Sequence, residues 1–394
     1  MIEAYAWEWL NLLGRAVHVV AGIAWIGASF YFVWLDNHLQ PPADPAAQGR
    51  GVGGELWAVH GGGFYHAQKY LGAPPSLPPR LHWFKWEAYT TLLSGLFLLV
   101  LIYYLQADLY LVDREVASLS APVAVAAGVA WIIGGWLVYD LLCRSPLGAR
   151  DRALAGVVAL LAAAAAYALC HMFSGRGAFL HFGAMLGTIM VLNVFFMIIP
   201  AQRAMVEAVT GGRAPDIARA MRARQRSVHN TYFTLPALFA MISIHYPWVY
   251  GAPLNWLWLV AISAAGALVR AWFVARHRGR APLWMLAAAA AALIATAYGL
   301  KPRTVANPWA VDPARVQAIA SERCGPCHSA TPRFQGITAA PKGIAFDSLP
   351  ELRKHAPIAR LQLASRAMPP GNVTGMTDDE RAALVAWIDD PHAR

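Results

Sequence analysis

The chain has 394 residues, of which 58% are hydrophobic and 14% charged, with 16 Trp and a formal net charge of +10. Soluble domains carry about 25% charged residues, so a wholly soluble globular chain is excluded and a membrane-embedded part is implied. The basic excess is no nucleic-acid signature, because most of it falls in the connections between apolar runs.

A spanning helix needs about 20 largely apolar residues. Eight runs qualify: 9–35, 88–105, 121–142, 153–170, 179–200, 232–250, 254–275 and 282–299. The first reads as a span and not as a cleavable leader. It lacks a basic start, follows Glu3 and Glu8, and carries Arg15 and His18. Along it Asn11, Arg15, His18, Gly22, Trp25 and Ser29 recur at three- and four-residue steps. They predict one polar and aromatic stripe facing the bundle interior. An ionisable group in a span is a functional candidate. The plain reading, in which Arg15 pairs and the stripe packs, stands beside that one.

The connection 36–87 is unlike a linker. Gly54 to Lys69 reads as a strand, a glycine turn and a returning strand. Leu81 to Glu87 then enters the second run with aromatics of interfacial type. His60, Lys69, His82 and Glu87 form a second candidate set. The run His60-Gly61-Gly62-Gly63 is like an esterase oxyanion loop, but no G-x-S-x-G accompanies it and that chemistry is set aside. The loop is a folded cap or part of a substrate site.

Charge orients the bundle. Sixteen Lys and Arg lie in the connections after the odd-numbered runs, against only Arg114 and Arg176 on the other side. The first set is therefore expected in the cytoplasm, which puts both termini outside the inner membrane. In that frame His18, His171, His181 and His245 share the outer half of the bundle. They would ligate a non-covalent haem b, act as acid/base groups, or be satisfied singly. Cys143 and Cys170, in or beside spans, read as buried small hydrophobes.

After residue 300 the composition turns polar, with a proline-containing connector over 301–312. Cys324-Gly325-Pro326-Cys327-His328 is a C-x-x-C-H run, the pattern of covalent haem c attachment. A zinc site would need two more ligands, and a redox dithiol a βαβ context. His328 is the expected proximal iron ligand. The following helices, the Met368-Pro369-Pro370 stretch and a last helix opened by Thr377 with Glu380 resemble a mono-haem cytochrome c domain. Met368 is then the distal ligand, preferred over Met376, while Trp387 reads as a core aromatic. The expected architecture is all-α: a polytopic membrane helix bundle of about eight spans over 1–300, then a periplasmic cytochrome c domain over 313–394.

Three blocks, Arg15 to Asn37, Gly54 to Tyr89, and His229-Asn230 through His245-Tyr246, join the C-x-x-C-H domain in a wider likeness. Together they resemble the membrane-bound cytochrome c urate oxidase (urate hydroxylase) family. The resemblance implies that urate and water give 5-hydroxyisourate, with electrons passed to the fused cytochrome and not to O2. Partners would be urate, the lipid bilayer and a downstream acceptor such as a soluble cytochrome or terminal oxidase. A planar anion calls for Arg or Lys donors, aromatic stacking and a base. Arg15 with His18 offers these on one helix face; the 36–87 set offers them in the loop. Two electrons against one haem c would be eased by a haem b in the bundle. Two other functions fit a membrane chain ending in a haem motif: an anchored electron-transfer cytochrome, and a quinol-oxidising haem subunit of a respiratory complex.

Overall fold

A computed structural model of the chain describes residues 2–301 and 311–390, with side chains from residue 5 onward. Six helices among these residues are long and apolar enough to cross a membrane: Tyr5–His38, Trp86–Tyr104, Ala121–Arg144, Asp151–Cys170, Gly175–Thr210 and Asn255–His277. The other two expected runs are helical without meeting that standard. Ile217–Ser243 spends its first turns on Arg219, Arg222, Arg224 and Arg226, and Leu283–Gly299 has 17 residues. The run expected over 232–250 is also broken. Its helix ends at Ser243, and Pro247, which has no amide proton to give to a preceding carbonyl, starts a separate turn Pro247–Tyr250.

The Gly175–Asn193 helix is the axle of the bundle, buried through Phe179, His181, Phe182, Leu186 and Ile189. It packs on Ile217–Ser243, Ala121–Arg144 and Asp151–Cys170. The first helix lies at the periphery. Leu12, Leu13, Val17, Val19, Val20 and Ile23 on its outer face are exposed, a surface that costs little against lipid tails and much against water. The stripe Asn11, Arg15, His18, Gly22, Trp25 and Ser29 is half-buried on the opposite face, as its periodicity predicts.

The hairpin expected after the first helix is present. Strands β1 (Val52–His60) and β2 (Gly63–Tyr70) pair antiparallel with His60 opposite Gly63. Gly61 and Gly62 take φ of +57° and +79°, the left-handed pair that a two-residue type I′ turn requires. Glu55 anchors it. Its carboxylate accepts from the Ala43 amide and lies 2.8 Å from His66 Nε2, and these partners hold its pKa below the ordinary carboxyl value, Ala43 foremost and against a smaller opposing effect of burial.

Most of the expected connector, 302–310, lies outside the described residues. Beyond it, helices Pro313–Ile319, Leu349–Lys354, Ala356–Ala364 and Asp378–Asp389 surround a second core of Val316, Leu352, Leu363, Met376, Leu384 and Trp387. Capping boxes at Ser348/Glu351 and Thr377/Glu380 open two of these helices. This C-terminal unit rests on one end of the bundle. Asn372 Nδ2 donates to Glu115 at 2.5 Å, and Arg366 lies 3.6 Å from the same carboxylate. At Gly371, φ +54°, a side chain would strike the Val112 carbonyl.

Candidate functional site

A cavity of about 1070 Å³ lies between the C-terminal unit and the bundle end on which it rests. From the C-terminal side Cys324, Cys327, His328, Met368 and Arg381 line it. The helix Pro313–Ile319 runs into a wider π turn, Ala320–Cys324, which carries the first cysteine. Such turns re-aim side chains and are common at functional sites. His328 Nδ1 lies 2.9 Å from the Ile344 carbonyl, which fixes the ring and leaves Nε2 as the free nitrogen. Burial pushes the Cys324 thiol up to about 12 and raises that of Cys327. No three His, Cys, Asp or Glu side chains among the described residues gather as a metal set.

These residues fit a covalently held haem. Two thiols and a freed imidazole nitrogen share one wall with Met368, while Met376 is fully buried in the core. Arg381 adds a detail of the same sense: its Nη1 donates to the Met368 carbonyl and its Nη2 to Asn372, while its buried Nε has no partner. A guanidinium with an orphaned donor in the lining suits an acid side group of the ring. Trp387 sits in the core with Arg353 4.0 Å from its ring.

The bundle supplies the facing wall, including Tyr110, Arg176, His245 and Tyr250. Arg176 is the second residue of its helix. Ser174 caps that helix by accepting from the Gly177 amide, and its hydroxyl donates to the Tyr110 carbonyl at 2.8 Å. Arg176 Nε donates to the Tyr103 hydroxyl at 3.0 Å, and the guanidinium lies 4.7 Å from the Tyr110 ring centre. Tyr103 itself is carried on the π turn Leu99–Tyr104. Sequence reasoning passed over Arg176 as a site residue. The available signal was its rarity, as one of two cations on its side of the bundle before the connector.

The structure separates most of the predicted site residues. Arg15 donates to Asn11 at 2.6 Å and is in electrostatic range of Tyr103 and His245. His18 turns to the neighbouring helix, with Nδ1 3.1 Å from both Ser94 Oγ and the Thr91 carbonyl. Gly95 makes room for the ring, since a Cβ there would sit 3.0 Å from it. Each member of the loop set has its own surroundings. His60 ends β1 at the exposed tip, Lys69 pairs with Asp36 at 2.8 Å, His82 packs edge-on against Phe84, and Glu87 opens the second long helix.

The four histidines expected at one depth meet different surroundings. His181 is fully buried with both nitrogens engaged, Nδ1 2.8 Å from the Gly177 carbonyl and Nε2 3.1 Å from the Tyr104 hydroxyl. His171 is exposed and bonded to the Tyr167 carbonyl, His18 faces Ser94, and only His245 reaches the cavity. Depth along a helix is legible from sequence, whereas direction around the bundle is set by packing.

No curated protein and no solved structure matches the chain significantly. The family model described as Urate oxidase N-terminal matches residues 4–301. That stretch takes in the bundle, the hairpin and the Arg176 wall of the cavity, and the chain belongs to the urate oxidase N-terminal family.

Proposed function

We propose that the protein oxidises urate to 5-hydroxyisourate and passes the electrons to a haem c held by Cys324, Cys327 and His328, with Met368 as second iron ligand. Membership of the family supports an oxidoreductase acting on urate. The observation that carries the electron route is the shared cavity, whose one wall holds the C-x-x-C-H residues and whose other wall belongs to the family-matched bundle. Bound there, the haem would accept electrons one at a time and hand them to an external acceptor, with no need for O2.

The reaction balances as urate plus water giving 5-hydroxyisourate, two protons and two electrons. The chain's own part is to bind the planar anion, exclude bulk water and take up a proton from the attacking water. His245 and the tyrosines of the bundle wall are the polar groups nearest that task in the cavity lining. The lysine and arginine asymmetry favours an outer, periplasmic position for this end of the bundle. The spans and their exposed apolar faces support lipid as the surroundings.

The test is anaerobic addition of urate to the purified full-length haem-loaded protein. Reduction of the haem absorption bands, with appearance of 5-hydroxyisourate and no hydrogen peroxide, is the expected result. Reduction by a quinol but not by urate would replace the urate reading with that of a respiratory haem subunit.

A further inference from the structure

We propose that Arg176, seated on Tyr110 and hydrogen-bonded to Tyr103, is the anion receptor for the purine substrate, so that urate is bound in the shared cavity itself. The inference rests on the urate reading and adds the site and its anchoring residue.

Arg176 carries an unanswered charge. Arg176 is partly buried, yet among the described residues it has no carboxylate partner and only its Nε donates, to a neutral hydroxyl. Withdrawing a guanidinium from water without a counter-charge is costly, and the packing keeps it so by construction. The Ser174 cap fixes the helix start, and rings lie against the guanidinium at 4.7 Å for Tyr110 and 5.5 Å for Tyr103. What remains open is the pair of terminal nitrogens, on a residue that lines the cavity. Two parallel N–H donors in a plane match an anion that offers adjacent acceptors along one edge. The urate monoanion has such an edge, with ring nitrogen and carbonyl oxygen side by side. Aromatic rings in the same lining, Tyr110 and Tyr250, suit its flat faces.

Position gives the second support. The same cavity holds Cys324, Cys327, His328 and Met368, so a purine on Arg176 lies in the compartment of the electron acceptor without a relay through the bundle. His18 faces another helix and Lys69 pairs with Asp36, while Arg15, which likewise donates only through Nε and meets no carboxylate among the described residues, does not line the cavity. The other anion available to Arg176 is an acid side group of the haem. Arg381, with its orphaned Nε on the haem-motif side, is the better placed partner for that group.

The experiment compares Arg176→Gln and Arg176→Lys with the unmodified protein, all full-length and haem-loaded. Urate affinity is read by calorimetry on the dithionite-reduced protein, where binding proceeds without turnover, and KM by haem reduction. Losing a charged bidentate contact predicts affinity weaker by about 100-fold for Gln and about tenfold for Lys, with the haem spectrum and midpoint potential unchanged. Unchanged urate affinity with a shifted potential would overturn the proposal and give Arg176 to the haem. Unchanged affinity and potential would overturn it outright. Should Arg176→Gln fail to fold, Arg176→Lys and Tyr110→Leu, which removes the supporting ring, are measured in the same way: weakened urate binding at unchanged potential supports the proposal, and unchanged binding overturns it. Failure of the unmodified protein to be reduced by urate would instead strike the functional reading, so the two failures are distinct.

Discussion

Two arginines in the bundle answer the same electrostatic problem in opposite ways. Arg226 is 2% exposed and fully met: Nη2 lies 2.8 Å from Asp140 Oδ1, Nη1 donates to Asn193, and the guanidinium lies over the Tyr139 ring. The network continues from Asn193 to Asn230 and from Tyr139 to His229, tying three helices together. Arg176 meets a hydroxyl and ring faces, and its remaining donors border a cavity. Arg270 shows a third solution, with two nitrogens unpartnered and the Phe30 ring 3.8 Å away in place of a carboxylate. A closed network marks a device for holding helices; a cation left open toward a cavity marks a place for something to arrive.

Asp140 is the anionic member of the closed network. Asp140→Ala strands the Arg226 charge and is expected to cost about 3–5 kcal/mol, seen as a lower thermal midpoint in detergent, with urate affinity of the surviving folded protein unchanged. A large loss of affinity at unchanged stability would make the inner network the substrate site. Cys324→Ser with Cys327→Ser should abolish covalent haem, read as loss of the haem-stained band on a denaturing gel, while the bundle still inserts. The methionines divide the C-terminal unit in the same way. Met368→Ala should lower the haem midpoint potential by removing a soft ligand. Met376→Leu, a volume-conserving core change, should cost less than about 1.5 kcal/mol and leave the potential alone.

Smaller effects sharpen the contrast. His18→Ala removes a hydrogen bond to the second long helix, at about 1 kcal/mol, and should leave KM for urate unchanged. A raised KM would restore the stripe as the binding face. The smallest effect concerns Glu380. Burial pulls its carboxyl up, but the fork of Arg323 and the Thr377 amide win and hold it below its ordinary value. A lowered pKa in the folded state means the stabilisation is present above the ordinary carboxyl range and fades as pH falls through the lowered value. Glu380→Gln should therefore be less stable than the unmodified protein at pH 7 and converge with it as the pH falls through the lowered value.

Much of this molecule is legible along the chain. Gly61-Gly62 between two β-prone runs specifies the hairpin, and Thr377 with Glu380 specifies the last helix, because both depend on residues a few positions apart. The C-x-x-C-H run is equally local. Arg176 escapes because its meaning depends on Tyr103 and Tyr110, brought to it from more than sixty residues away. The helix Ile217–Ser243 misleads in the other direction. Its arginines look like a cytoplasmic loop, yet Arg226 is buried against Asp140, a pairing no window of sequence contains.

Glu115, which fastens Asn372 and Arg366 of the C-terminal unit to the bundle, has a consequence for kinetic order. An acceptor that is part of the same chain, and clamped to it, does not need to be found by diffusion. In the proposed reaction the first electron should leave the purine at a rate independent of how dilute the protein is. Only the last transfer, to whatever drains the haem, should depend on the concentration of a second molecule.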